Sequence, residues 1–210
     1  MSGKDFYTFK RSIKVIKEKG AGNLKHALLV IDAQQELIEG NASERAVYNK
    51  EGLIQNINVV IEKAKQAKAA LVFVRDVDVS EGEGAGFEVH SAINVPEDAQ
   101  VFDKQATNAF YNTSLLSYLE EEKIGHLVIM GCKTEHCIDT AVRFATVSGF
   151  DVTLVEDGHS TSDSEVLKAE QIVSHHNKVL HGHYNVDHFS VVRKTDEDLF
   201  TPIHDNYRSE

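Results

Sequence analysis

An acid, an amine and a thiol each follow an apolar run in this sequence. Asp32 lies in ALLVIDA (27–33), Lys104 ends AQVFDK (99–104), and Cys137 comes shortly after HLVIMG (126–131). A carboxylate that takes a proton, a thiol that attacks a carbonyl carbon and an ammonium that holds nearby negative charge are the parts of covalent acyl transfer. An unperturbed thiol, with a pKa of about 8.5, is only a few per cent thiolate at neutral pH. Cys137 falls in the first turn of an expected helix near Glu135, with Thr134 placed to cap it. Free N–H groups and the helix dipole favour an anion there, and a nearby lysine adds to the effect, so the thiol pKa is expected to fall by about one unit or more. The same N–H groups suit an oxyanion. Each residue also has a structural explanation: Cys137 as a small buried apolar residue, Asp32 as a turn cap, Lys104 as a surface cation.

What brings these residues together is the order of the elements. Strands are expected at 27–33, 70–76, 99–104, 126–131, 151–158 and 188–193, all continuous apolar runs without alternation. Helices are expected at 51–68, where Leu53, Ile54, Ile57, Val60, Ile61 and Ala64 stand at helical spacing, and at 108–122, 135–148 and 163–180. Continuous apolar strands separated by amphipathic helices read as a parallel sheet covered on both faces. Ligands bind such sheets beyond the carboxyl ends of the strands. Asp32, Lys104 and Cys137 sit there, with Asp76 and Asp78 after the second strand and Asp157, His159 and Ser160 after the fifth. Residues 77–98, rich in Gly, Asp, Glu and Ser, read as one long loop, which in a compact domain is usually functional.

Bulk properties narrow the classes. A chain of 210 residues with 41% hydrophobic and 26% charged residues suits one globular domain over 26–210, preceded by a basic segment at 1–25 that reads as an amphipathic helix. A net charge of −11 argues against a nucleic-acid partner, whose phosphates call for a basic surplus. No apolar run is long enough for a transmembrane helix, and the basic N-terminal segment lacks the apolar core of a signal peptide. The two cysteines, Cys132 and Cys137, form no disulfide framework and suit a reducing, cytoplasmic compartment.

Three segments resemble the isochorismatase-like cysteine hydrolases, the superfamily that includes nicotinamidases and N-carbamoylsarcosine amidohydrolases. ALLVIDAQQE (27–36) is similar to the first-strand motif with its acid. VFDKQATNAFYNTSLLSYL (101–119) is similar to the lysine motif, and 126–160 contains the nucleophile motif G-x-x-T-x-x-C, Gly131 to Cys137. The likeness spans about residues 26 to 195. It implies a three-layer α/β/α sandwich with a six-stranded parallel sheet ordered 3-2-1-4-5-6. It also implies Asp32 as general acid/base, Lys104 as electrostatic partner, Cys137 as nucleophile, and a cis peptide joining Cys132 to Lys133 in the oxyanion loop. The expected substrate is a small amide or carbamoyl compound cleaved through a thioester, with a homodimer or homotetramer as the assembly. Vinyl-ether hydrolysis of an isochorismate type and a silent binding relative are the alternatives. Nicotinamidases carry an Asp-Trp-His metal motif after the second strand; this chain reads Asp76-Val77-Asp78, so neither metal nor cofactor is assigned.

His90, Phe110, Tyr111 and His136 are candidates for the substrate pocket. His136 beside the thiol invites a Cys/His dyad, but adjacent helical residues point about 100° apart. The histidines at 175–188 show no ligand template and read as solvated surface, and Gly82 to Gly86 lacks phosphate-loop spacing.

Overall fold

The computed structural model describes residues 25–208. In chain order these form β1 (Lys25–Ile31), α1 (Gln35–Glu39), α2 (Lys50–Gln66), β2 (Ala70–Asp76), α3 (Gly84–Phe87), β3 (Gln100–Lys104), α4 (Leu115–Glu121), β4 (Ile124–Cys132), α5 (Asp139–Val147), β5 (Asp151–Ser160), α6 (Ala169–Leu180), β6 (Tyr184–Asn185) and β7 (His188–Arg193). The sheet order is β3-β2-β1-β4-β5-β7-β6. Every pairing from β3 across to β7 is parallel. The expected sixth strand is β7, and it lies beside β5 as expected. The extra strand β6 is two residues long and pairs antiparallel with β7, so the sheet has seven strands and is not purely parallel.

Side chains along a strand alternate between the faces of the sheet. Leu28 and Val30 of β1 therefore join Phe73, Val128 and Met130 in a core covered by Leu53, Ile57, Val60 and Ile61 of α2. Leu29 and Ile31 join Val72, Val74, Leu127 and Ile129 under α4 and α5, through Leu115, Leu119, Ala141 and Val142. These two cores make the sandwich three layers thick. Each fully buried Leu, Ile or Val contributes roughly 1.5–3 kcal/mol by leaving water.

Several expected boundaries shift. The stretch 77–98 is not one irregular loop: it holds a 3₁₀ turn at Val79–Gly82 and the short α3. The helix expected over 108–122 is confined to α4, and the one expected over 163–180 begins at Ala169. The basic segment expected at 1–25 lies, up to residue 24, outside the described residues. No helix among the described residues is long and apolar enough to cross a membrane.

At Gly131 the backbone of β4 lies tight against Ile31 of β1. The glycine's φ is +121°, and a Cβ there would stand 2.0 Å from the Ile31 carbonyl oxygen. Gly131→Ala is expected to cost at least about 2 kcal/mol, from the clash and the left-handed backbone together. Urea unfolding checks this; an unchanged midpoint would mean the edge has room.

Candidate active site

Four adjacent strands deliver the site to one edge. Asp32 follows β1 directly, with φ at +51° and its N–H donating to the Val74 carbonyl at 2.8 Å. Few residues adopt this left-handed backbone; aspartate is one that does. The buried Gln34 then fastens the edge. Its side-chain amide donates to the carbonyls of Asp76 (3.0 Å) and Phe87 (2.8 Å), and its oxygen accepts the Asp76 N–H at 2.8 Å. Lys104 is the last residue of β3 and lies in register with Asp76 of β2. Cys137 sits in a π-helical turn, Thr134–Ile138, whose Ile138 N–H reaches back to the Lys133 carbonyl at 3.2 Å.

Asp32, Lys104 and Cys137 converge. The Lys104 ammonium is buried, 3.0 Å from Asp32 Oδ2 and 3.4 Å from Cys137 Sγ, and it also pairs with Asp76. Neither oxygen of the fully buried Asp32 makes a hydrogen bond; the Lys104 contact is an ion pair off the bonding direction. Burial pushes the Asp32 carboxyl up to about 6 even though Lys104 pulls the other way. Burial also acts to discharge Lys104, but the facing Asp32, Cys137 and Asp76 outweigh it and hold its pKa above the ordinary value.

The expected low-pKa thiol is not what this arrangement makes. Burial and the Asp32 charge push Cys137 up to about 12, outweighing the attraction of Lys104, whose charge two carboxylates already share. At neutral pH the cluster rests as thiol, carboxylate and ammonium. Thr134 does not cap the turn either. It is buried, and its hydroxyl hydrogen-bonds His159 Nδ1 at 2.9 Å, while His159 Nε2 meets Asn177 Oδ1 at 2.9 Å. Burial lowers His159 to about 4, so it is a neutral strut between α6 and the thiol's turn. Gln34 and His159 are the positioning residues that sequence reasoning left without a role.

The Cys132–Lys133 peptide is cis. Cys132 is fully buried with its thiol pKa raised by burial, Lys133 pairs with Glu44, and both cysteines are free thiols. Beside them opens a cavity of about 440 Å³ whose walls include Asp32, Cys137, Lys133, His136, Glu36 and Asp78. Of the four pocket candidates, only His136 lines it. His90 is buried elsewhere and meets Glu39 Oε1 at 3.1 Å. Phe110 belongs to the core, stacked on Phe144 with centroids 4.9 Å apart, and Tyr111 is exposed on the surface.

Ligand atoms of Asp32, Asp76 and Cys137 lie within 4.8 Å of one another, a spacing that metals use. Lys104 contacts all three, so an ammonium already supplies the positive charge. Asp78 donates its N–H to Asp76 Oδ1 at 3.0 Å. This donor set does not fit a resident divalent metal.

A three-layer α/β/α domain with a carboxylate, an ammonium and a thiol at the carboxyl edge of its sheet is the architecture of a hydrolase class. Residues 26–176 match the Isochorismatase domain, and the chain belongs to that family of hydrolases. It is 30% identical to the isochorismatase family protein YddQ of Bacillus subtilis over 158 residues, 70% of this chain and 86% of that protein. A protein of Arabidopsis thaliana named probable inactive nicotinamidase is 29% identical over 68% of this chain and 84% of its own length. The fold is shared with N-carbamoylsarcosine amidase from Thermoplasma acidophilum at a TM-score of 0.64 and 21% identity, covering 83% of this chain and 98% of that one.

Proposed function

We propose that this protein hydrolyses a small amide or carbamoyl compound through a thioester on Cys137. The observation that carries the reading is the placement of one buried ammonium within 3.0 Å of Asp32 and 3.4 Å of Cys137 Sγ, at the wall of a cavity. Asp32 takes the thiol proton as sulfur attacks the carbonyl carbon, and the N–H groups of Cys137 and its loop hold the oxyanion. Asp32 returns that proton to the departing ammonia or amine. It then takes a proton from water as the water oxygen displaces sulfur, and passes that proton to the departing thiolate to leave the acid and the free thiol. Lys104 offsets the negative charge passed between Asp32 and sulfur. A resting thiol beside an ionised carboxylate suits this route, because the proton moves only as the bond forms.

Asp32 must be ionised to act as the base. With its pKa at about 6, kcat/KM is expected to fall as pH drops through about 6 and to level off above it. The test is ammonia release from a panel of small primary amides and ureides, with Cys137→Ala as the blank and a pH profile on any substrate found. Pyruvate release instead, from a vinyl-ether substrate, would assign the other chemistry. The raised thiol pKa and the Arabidopsis relative favour a silent binding protein as the second reading. Tight binding of panel compounds without turnover would select it.

A further inference from the structure

We propose that the cavity beside Cys137 takes a cationic substrate, one that carries an ammonium or guanidinium group a few bonds from the carbonyl under attack. The proposal rests on the amide-hydrolase reading for its chemistry but not for its charge preference. Five carboxylates line the cavity: Asp32, Glu36, Glu44, Asp76 and Asp78. The nearby lysines are already engaged, Lys133 by Glu44 and Lys104 by Asp32 and Asp76 together. Glu36 and Asp78 have no cationic partner among the described residues.

Glu36 is fixed in place rather than free to turn away. Asn41 Nδ2 donates to its Oε1 at 2.7 Å and the Ser80 hydroxyl donates to its Oε2. These donors hold the carboxyl below its ordinary pKa, with Ser80 the larger cause. Asp78 presents its carboxylate from the segment after β2. A second observation at the reacting end points to a ligand. Asp32 is fully buried and lines the cavity; the Lys104 ammonium stands 3.0 Å from its Oδ2, and neither oxygen accepts a well-directed hydrogen bond. A substrate amide N–H satisfies that acceptor, while a distal cation satisfies Glu36 and Asp78. An anionic substrate would meet uncompensated carboxylates instead.

The test compares three primary amides of similar length: γ-aminobutyramide, pentanamide and succinamate, which are cationic, neutral and anionic. At low ionic strength, kcat/KM for ammonia release is expected to favour the cation over the neutral amide by about tenfold or more, with the anion slowest. Glu36→Gln and Asp78→Asn are each expected to shrink the ratio, and added salt to erode it. Asp78 is exposed, so its variant keeps the test open should the Glu36 variant fold poorly.

Ammonia released equally from all three overturns the charge preference and leaves the amide chemistry standing. Ammonia from none removes the amide chemistry. The charge preference is then read from Cys137 labelling by aminoethyl, methyl and sulfonatoethyl methanethiosulfonates, each normalised to free cysteine and located by peptide mass. Faster labelling by the cationic reagent, by about tenfold, supports the proposal. Equal rates, a faster anion, or no labelling of Cys137 by any reagent overturns it.

Discussion

Asp32→Asn is expected to cut turnover by about 10²–10⁴-fold while making the protein more stable above pH 6. The two effects share one cause. Burial raises the Asp32 carboxyl from an ordinary 3.8 to about 6, so the folded chain binds its proton more tightly than the unfolded chain does. Between about 4 and 6 the folded state carries the extra proton, and stability falls as pH rises through that window. Above 6 the whole cost of burying the charge is present; a gap from 3.8 to about 6 corresponds to roughly 3 kcal/mol. An asparagine keeps the shape and carries no charge. Its benefit is expected to reach up to about 3 kcal/mol at pH 8 and to fade below pH 4. Thermal melts of both proteins at pH 4 and pH 8, run beside ammonia assays, check this. A variant that melts lower at pH 8 would mean that Asp32 is not the strained charge, and one that keeps full turnover would mean that it is not the base. The expected pair of results, a more stable protein with lost turnover, would illustrate a general trade: a charge held where it is costly because the chemistry needs it there.

That cost was not legible in the sequence, although the position of Asp32 was. ALVFVRD and HFSVVR became β2 and β7 with the bounds their apolar runs indicate, because a strand buried on both faces needs an unbroken apolar run and ends where charge begins. A parallel sheet carries the ends of such strands to one edge, so Asp32, Lys104 and Cys137 could be placed together before any coordinate. The thiol pKa could not. It depends on how much water burial removes and on Lys104 being shared with Asp76, a partner 28 residues away in sequence. The helices are shorter than their sequence pattern indicates where short polar side chains compete with the backbone. Asn108 accepts the Phe110 N–H and the Thr113 hydroxyl donates to Ala109, which holds 108–114 in turns. Asp163 and Ser164 hold the approach to α6 in the same way, accepting N–H groups of Ala169, Val166 and Leu167. Gln34 gave no periodic signal: its partners, Asp76 and Phe87, come from other elements. Phe110 is absent from the cavity wall for a related reason. Phe110 has an aromatic partner in Phe144 on α5, and stacking there turned it into core.

Lys104→Met is expected to be the most destabilising single change at the site. The side chain is fully buried and reaches Asp32, Asp76 and Cys137 at once. Methionine fills much of its volume but leaves the buried Asp32 carboxylate facing Asp76, which is only 17% exposed, with no cation between them. Breaking a buried ion pair by removing one partner costs about 3–5 kcal/mol, because the remaining charge is stranded. The Asp32 carboxylate then favours its protonated form in the folded state still more, so its folded pKa rises further above the unfolded one. The sign follows: the variant's deficit is largest at pH 8 and shrinks as pH falls toward 4, where protonation relieves the repulsion. The same change in an Asp32→Asn background is expected to cost far less, since only one carboxylate is then left uncompensated. Urea unfolding of the two single variants and the double variant, at pH 5 and pH 8, measures the coupling. Equal losses for Lys104→Met in both backgrounds, or a loss independent of pH, would show that the lysine acts by packing alone. A strongly coupled, pH-dependent loss would show that its charge is what lets two carboxylates and a thiol share this edge of the sheet.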